Sequence, residues 1–88
     1  MSDAILESMM KLCRDSYTLW PENAALPAHT VAEAGFVHER VQDYVRCPVC
    51  RIRLFDWMST SDPLAEHERF SKGNCKLLNY IKNKGSST

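Results

Sequence analysis

Apolar residues near the start of the chain recur at intervals of three and four: Ile5, Leu6, Met9, Leu12 and Cys13. That spacing predicts an amphipathic helix that begins near Ser2 or Asp3 and occupies the segment 1–12. From Ser16 to Ala25 the period is lost, and Tyr17 and Trp20, with Pro21, read as aromatic anchors of an irregular stretch laid on the core. Pro27 opens a short helix carrying Val31 and Ala32, and Gly35 stops it as a C-terminal cap. Phe36–His38, Tyr44–Cys47 and Ile52–Trp57 have the look of short strands, the last two joined by the tight turn Cys47-Pro48-Val49-Cys50. Asp62 as N-cap and Pro63 at the first helical position launch another helix, on which Leu64, His67 and Phe70, or Glu66 and Phe70, can share a face. Lys72-Gly73-Asn74 breaks it. A last helix runs from about Cys75 through Leu77, Leu78 and Ile81, leaving a tail that frays from Gly85. The pattern is that of an α+β domain without internal repeats.

At 88 residues the chain has room for one domain. A core of this size is marginal by itself, so a disulfide, metal or partner is expected to clamp it. Lys plus Arg and Asp plus Glu number 11 each, so no net field steers the chain toward nucleic acid or an anionic membrane. No apolar run approaches a membrane span, and the opening Met1-Ser2-Asp3-Ala4 lacks the basic start and apolar core of a signal peptide. The expected home is therefore cytoplasmic, or nuclear. In such reducing surroundings four cysteines read as metal ligands before they read as two disulfides.

Cys47 and Cys50 are spaced so that the turn between them brings both thiolates to one side. His67, one or two turns into a helix facing that turn, and Cys75 complete a Cys₃His set: a closed tetrahedral shell for one structural Zn²⁺. A redox reading of Cys-x-x-Cys lacks the βαβ context it needs. His29 and His38 are read as surface or partly buried side chains, and Cys13 as a small buried apolar residue. The metal shell has no open position and no nucleophile–base pair accompanies it, so the chain is not expected to be an enzyme.

The run Ser16-Tyr17, Trp20-Pro21, Val31-Ala32-Glu33-Ala34-Gly35-Phe36, Asp43-Tyr44-Val45-Arg46-Cys47-Pro48-Val49-Cys50, Leu54-Phe55-Asp56-Trp57, Asp62-Pro63-Leu64-Ala65-Glu66-His67 and Cys75 resembles a BIR domain, the repeat of inhibitor-of-apoptosis proteins. The resemblance covers about residues 13 to 80. It implies a small zinc-binding fold, a short three-stranded antiparallel sheet surrounded by four to five short helices. The N-terminal helix would take 1–12, the zinc domain 13–81 and a tail 82–88. Arg51 stands where the family has Gly, as do the residues Glu39-Arg40-Val41 after the first strand.

The resemblance also implies a function. BIR domains receive a protein's free N-terminus, often Ala, in a groove between the third strand and the following helix, by strand addition plus an acidic group for the ammonium. Carried over, the groove would comprise Arg53, Leu54, Phe55 and Trp57 with Ser61, Asp62, Glu66 and Phe70. The implied role is regulation of apoptosis through caspases or the free Ala N-termini of pro-apoptotic antagonists. A small viral regulator and a survivin-like cell-division adaptor both fit. So does a helix-surface adaptor using Leu6, Met9 and Met10, with a homodimer compatible with either. No second BIR and no RING finger follow, so no ubiquitin-ligase activity is expected of the chain. Lys72, Lys76, Lys82 and Lys84 read as a solvated helix end rather than a nucleic-acid surface.

Overall fold

The computed structural model describes residues 2–86. Helix α1 spans Asp3–Asp15, with the Ser2 hydroxyl accepting from the Ile5 N–H as its N-cap. It turns Leu6, Met10 and Cys13 into the core and leaves Ile5 and Leu12 outside. The helix outruns the expected 1–12 because Cys13 continues the apolar stripe from Met10 and Asp15 pairs with Lys11 at 2.8 Å. It ends where the buried Ser16 hydroxyl bonds back to the Cys13 carbonyl and accepts from the His38 N–H, at 2.8 and 2.9 Å. A 3₁₀ turn, Tyr17–Leu19, follows. Tyr17 donates to the Phe36 carbonyl at 2.7 Å and Trp20 Nε1 to the Leu26 carbonyl at 2.9 Å, which fixes the irregular stretch on the core. His38 is not at the surface: it is 2% exposed, stacked on Tyr17 and edge-on to Trp20. Its place on the inner side of a strand explains the burial, since His38 pairs with the buried Val45.

Helix α2 (Ala28–Glu33) takes Pro27 as its N-cap and buries Val31 and Ala32. Strands β1 (Val37–His38), β2 (Val45–Arg46) and β3 (Arg53–Leu54) form an antiparallel sheet in the order β1-β2-β3, with Val37 opposite Arg46 and Val45 opposite Leu54. Each is shorter than its alternation suggests, because left-handed backbone at Arg40, Gln42, Arg51 and Asp56 interrupts the extended run at its ends. Helix α3 (Pro63–Ser71) begins on the Asp62 carboxylate, which accepts from Leu64 and Ala65, and ends on left-handed Lys72. Helix α4 covers Lys76–Ser86, so most of the expected tail 82–88 is helical, and positions 87 and 88 lie outside the described residues.

Phe36, Val31, Val45, Leu77 and Leu78 are fully buried at the centre, with Leu6 and Met10 closing one side and Trp57 another. Each such side chain contributes about 1.5–3 kcal/mol of burial, and so few of them leave the domain dependent on a further clamp. No helix among the described residues is long and apolar enough to cross a membrane.

Candidate functional site

Three parts of the chain deliver the four ligand groups. The β2–β3 turn carries Cys47 and Cys50, the second turn of α3 carries His67, and Cys75 immediately precedes α4. Their Sγ and ring-nitrogen atoms lie within 4.8 Å of one another, and all but Cys50 are buried. Cys47 Sγ stands 3.6 Å from Cys75 Sγ, and Cys50 Sγ 3.5 Å from His67 Nε2. A tetrahedral zinc shell has S···S edges of about 3.8 Å and S···N edges of about 3.5 Å, from Zn–S near 2.3 Å and Zn–N near 2.0 Å. The sulfurs are too far apart for a disulfide. The donor set and its dimensions therefore fit Zn²⁺.

The backbone prepares each donor. Val49 and Cys50 N–H groups both point at Cys47 Sγ from 3.4 Å. Ile52 and Leu78 backbone groups bond Cys50 and Cys75 in the same way. His67 Nδ1 lies 2.7 Å from the Ala34 carbonyl, so it carries the proton and leaves the Nε2 lone pair facing the thiols. Phe36 packs on the His67 ring at 4.5 Å, and a Cβ on Gly35 would stand 3.3 Å from its Cε1. Ala34, Gly35 and Phe36 together set the ring's plane.

Packed this closely, the thiols cannot all ionise unaided. The contact with Cys75 and burial push the Cys47 thiol up, and burial pushes Cys50 up. Cys75, accepting from Cys47, is drawn down to about 3. One proton thus serves the Cys47–Cys75 pair until a cation replaces it. Cys13 stands apart; burial raises its thiol to about 12, which makes it an inert core residue.

Arg51 closes the Cys turn with its N–H on the Cys47 carbonyl at 2.9 Å and a φ of +68°. Left-handed backbone costs an L-residue about 1–2 kcal/mol, and the looser unfolded chain of glycine takes back about 0.4–1 kcal/mol. Arg51→Gly is therefore expected to stabilise the metal-loaded protein by about 0.5–1 kcal/mol, read from the denaturant midpoint at unchanged slope. A lower midpoint would contradict this account of the turn.

The residues assigned to a peptide groove are placed unevenly. β3 is an edge strand, so one side of Arg53–Leu54 is open to pairing. Leu54 packs against the core, while Phe55 and Phe70 are 53% and 47% exposed and are not core residues. Glu66 and Phe70 lie one turn apart on α3, on the flank next to buried His67, with Phe70 exposed and Glu66 partly so. Glu66 has the exposed Arg69 as its ion-pair partner, at 3.5 Å. Trp57 corrects the expectation: it is only 8% exposed and packs on Phe36 in the core. The cause is left-handed Asp56, which breaks the strand's in-out alternation and is pinned by Asp43, whose carboxylate accepts from the Asp56 and Trp57 N–H groups at 3.1 and 2.8 Å. Ser61 Oγ accepts from Met58 and Asp62 caps α3, so both are engaged in local structure. Arg53 reaches to Glu39 instead of toward α3. The Asp43 clamp, the Ala34 carbonyl and the Ser16 link had no signal in the spacing of residue types. Of the methionine patch, Met10 and Leu6 are buried and Met9 partly so.

The BIR family model, described as the Inhibitor of Apoptosis domain, matches residues 14–79. The chain is 32% identical over 78 residues to the putative apoptosis inhibitor ORF99 of Ostreid herpesvirus 1, covering 84% of this chain and 31% of that protein. It is 37% identical over 70 residues to baculoviral IAP repeat-containing protein 7 of Mus musculus, covering 80% and 24%. With death-associated inhibitor of apoptosis 2 of Drosophila melanogaster the identity is 36% over 56 residues, 64% of this chain and 11% of that protein. The chain spans only a minor part of the length of each of these relatives. Among solved structures, DIAP1 BIR1 bound to a Grim peptide superposes with a TM-score of 0.62 at 29% identity, covering 82% of this chain and 68% of that one. Autoinhibited dIAP1-BIR1 gives a TM-score of 0.64 at 30% identity, covering 84% and 72%. A sheet of this topology, a Cys₃His cluster at its hairpin and a family match across most of the chain lead to one assignment: this chain belongs to the BIR domain family of the inhibitor-of-apoptosis proteins.

Proposed function

We propose that the chain is a zinc-clamped recognition module, not an enzyme, that regulates apoptosis by binding free N-termini of caspases or pro-apoptotic antagonists. Cys47, Cys50, His67 and Cys75 hold one structural Zn²⁺, whose chemistry is that of a four-way cross-link with no open position. The observations that carry the peptide reading are the open edge of β3, the half-exposed Phe55 that follows it, and the half-exposed Phe70 and the carboxylate of Glu66 on α3. A DIAP1 BIR of the same fold binds a Grim peptide, which supports the reading. An extended peptide adds to the edge through backbone hydrogen bonds, Leu54 and Phe70 flank its first small side chain, and Glu66 meets the ammonium. Thiols held as metal ligands suit a reducing compartment, the cytoplasm or nucleus.

The test is a titration of the zinc-loaded chain with short peptides beginning with free Ala and with their N-acetylated forms. Acetylation or Glu66→Ala is expected to weaken binding by about tenfold or more, the worth of a charge-assisted hydrogen bond. Equal binding of the acetylated peptide, or no binding by folded zinc-loaded protein, rejects the groove. The helix-surface alternative would then rest on Ile5, Leu12 and the partly buried Met9, because Leu6 and Met10 are in the core.

A further inference from the structure

The outward face of the sheet carries chemistry that the metal cluster does not use, and it shares only Arg53 and Phe55 with the groove residues named above. Arg46 lies directly opposite Arg53 across the β2–β3 ladder, and both are exposed, while Val45 beside Arg46 is fully buried. Like charges in that position disfavour pairing. Only one of the two is balanced. Arg53 donates from Nε and Nη2 to the two oxygens of Glu39, at 3.0 and 2.8 Å, a planar two-point clasp of a carboxylate. The side chains of Arg46 and of exposed Arg51 make no hydrogen bond or ion pair among the described residues. Beside them Tyr44 and Phe55 stack at 4.9 Å with planes 13° apart, and more than half of Phe55 is open to solvent.

The basic residues of this face, Arg46 and Arg53, and Arg51 in the adjoining Cys turn are arginines, whereas the lysines fall at Lys11, Lys72, Lys76, Lys82 and Lys84. Arginine is the residue for planar, two-point recognition of carboxylates and phosphates. A phosphate backbone is the weaker candidate, because equal numbers of acidic and basic residues give the chain no long-range attraction for nucleic acid. The face already holds a carboxylate of its own, that of Glu39.

We propose that the outer sheet face is a second docking site that takes an acidic, extended segment of a partner protein. Carboxylates of the segment bond Arg46, Arg51 and Arg53, and its aliphatic parts lie on the Tyr44–Phe55 stack. Glu39 is the internal competitor for Arg53. This site needs no free N-terminus, so it stands or falls independently of the groove.

An N-acetylated peptide of alternating Glu and Ser, titrated into the full zinc-loaded chain with the Gln–Ser peptide as control, tests it. The acidic peptide is expected to bind and the control not. Arg46→Gln with Arg51→Gln should weaken binding about tenfold, and about 0.5 M salt should do the same. Glu39→Gln should tighten it about threefold by releasing Arg53, an effect that damage to the fold would not produce. Absence of binding, indifference to the arginine substitutions, weaker binding by Glu39→Gln, or preference for oligouridine over the acidic peptide would each overturn the proposal.

Discussion

Replacing Cys75 with Ala, or stripping the metal with a strong chelator, is expected to leave the chain unfolded at room temperature. The proposed zinc ties the β2–β3 turn to α3 and to the start of α4, pieces otherwise joined by a small shared core and the exposed Lys82–Glu68 ion pair. Structural zinc contributes about 10–16 kcal/mol in small finger peptides, against a net stability of about 5–15 kcal/mol for a whole domain. Losing one thiolate also leaves three donors aimed at a space whose charge is no longer balanced, so the damage exceeds that of one missing bond. Far-UV circular dichroism with metal analysis decides it: one zinc per unsubstituted chain, and loss of the cooperative transition in Cys75→Ala. Cys13→Ala is the matched control, since Cys13 is equally buried but lies outside the cluster. It should cost only about 1–2 kcal/mol and leave zinc content unchanged. A Cys75→Ala protein that melts as cooperatively as the Cys13→Ala one would end the metal reading.

The parts of this fold that could be read from residues were those with a short-range cause. Asp62-Pro63 announces the start of α3, Gly35 announces a reversal, and Cys47-x-x-Cys50 announces a shared partner, because each acts through its own backbone or its near neighbours. The spacing of apolar residues in α1 announced the helix and placed Leu6 and Cys13 on its buried side. It missed buried Met10, counted exposed Ile5 and Leu12, and did not show where the helix ends, which is decided by Ser16 reaching His38 across the fold. Trp57 shows the limit. Alternation along Arg53-Leu54-Phe55 gives no warning that Asp56 is left-handed, since the cause is Asp43, thirteen residues earlier, accepting its N–H. A two-residue strand has too few alternating positions to outweigh such a clamp. The same holds for Glu39 and Arg53, whose pairing depends on sheet order and not on spacing along the chain.

Gly35→Ala is expected to be the most damaging substitution outside the metal ligands. Gly35 has φ +92°, a region that costs an L-residue about 1–2 kcal/mol. An added Cβ would stand 2.9 Å from Ile81 Cδ1, 3.2 Å from Leu77 Cδ2 and 3.3 Å from His67 Cε1. Ile81 can swing aside, but fully buried Leu77 and the His67 ring, fixed by the Ala34 carbonyl and Phe36, cannot yield without moving the metal site. Overpacking of this kind adds about 1–3 kcal/mol, for a total near 2–5 kcal/mol. Because the displaced group is a ligand, zinc affinity should fall about tenfold as well, as it does when a ligand's supporting shell is disturbed. Gly73 separates the two causes: its φ is +75° but nothing lies within 4 Å of an added Cβ. Gly73→Ala should therefore show the backbone strain alone, about 1–2 kcal/mol, with zinc affinity intact. If competition with a chelator gives both variants the same zinc affinity, the close approach of Gly35 to His67 does not position the ligand.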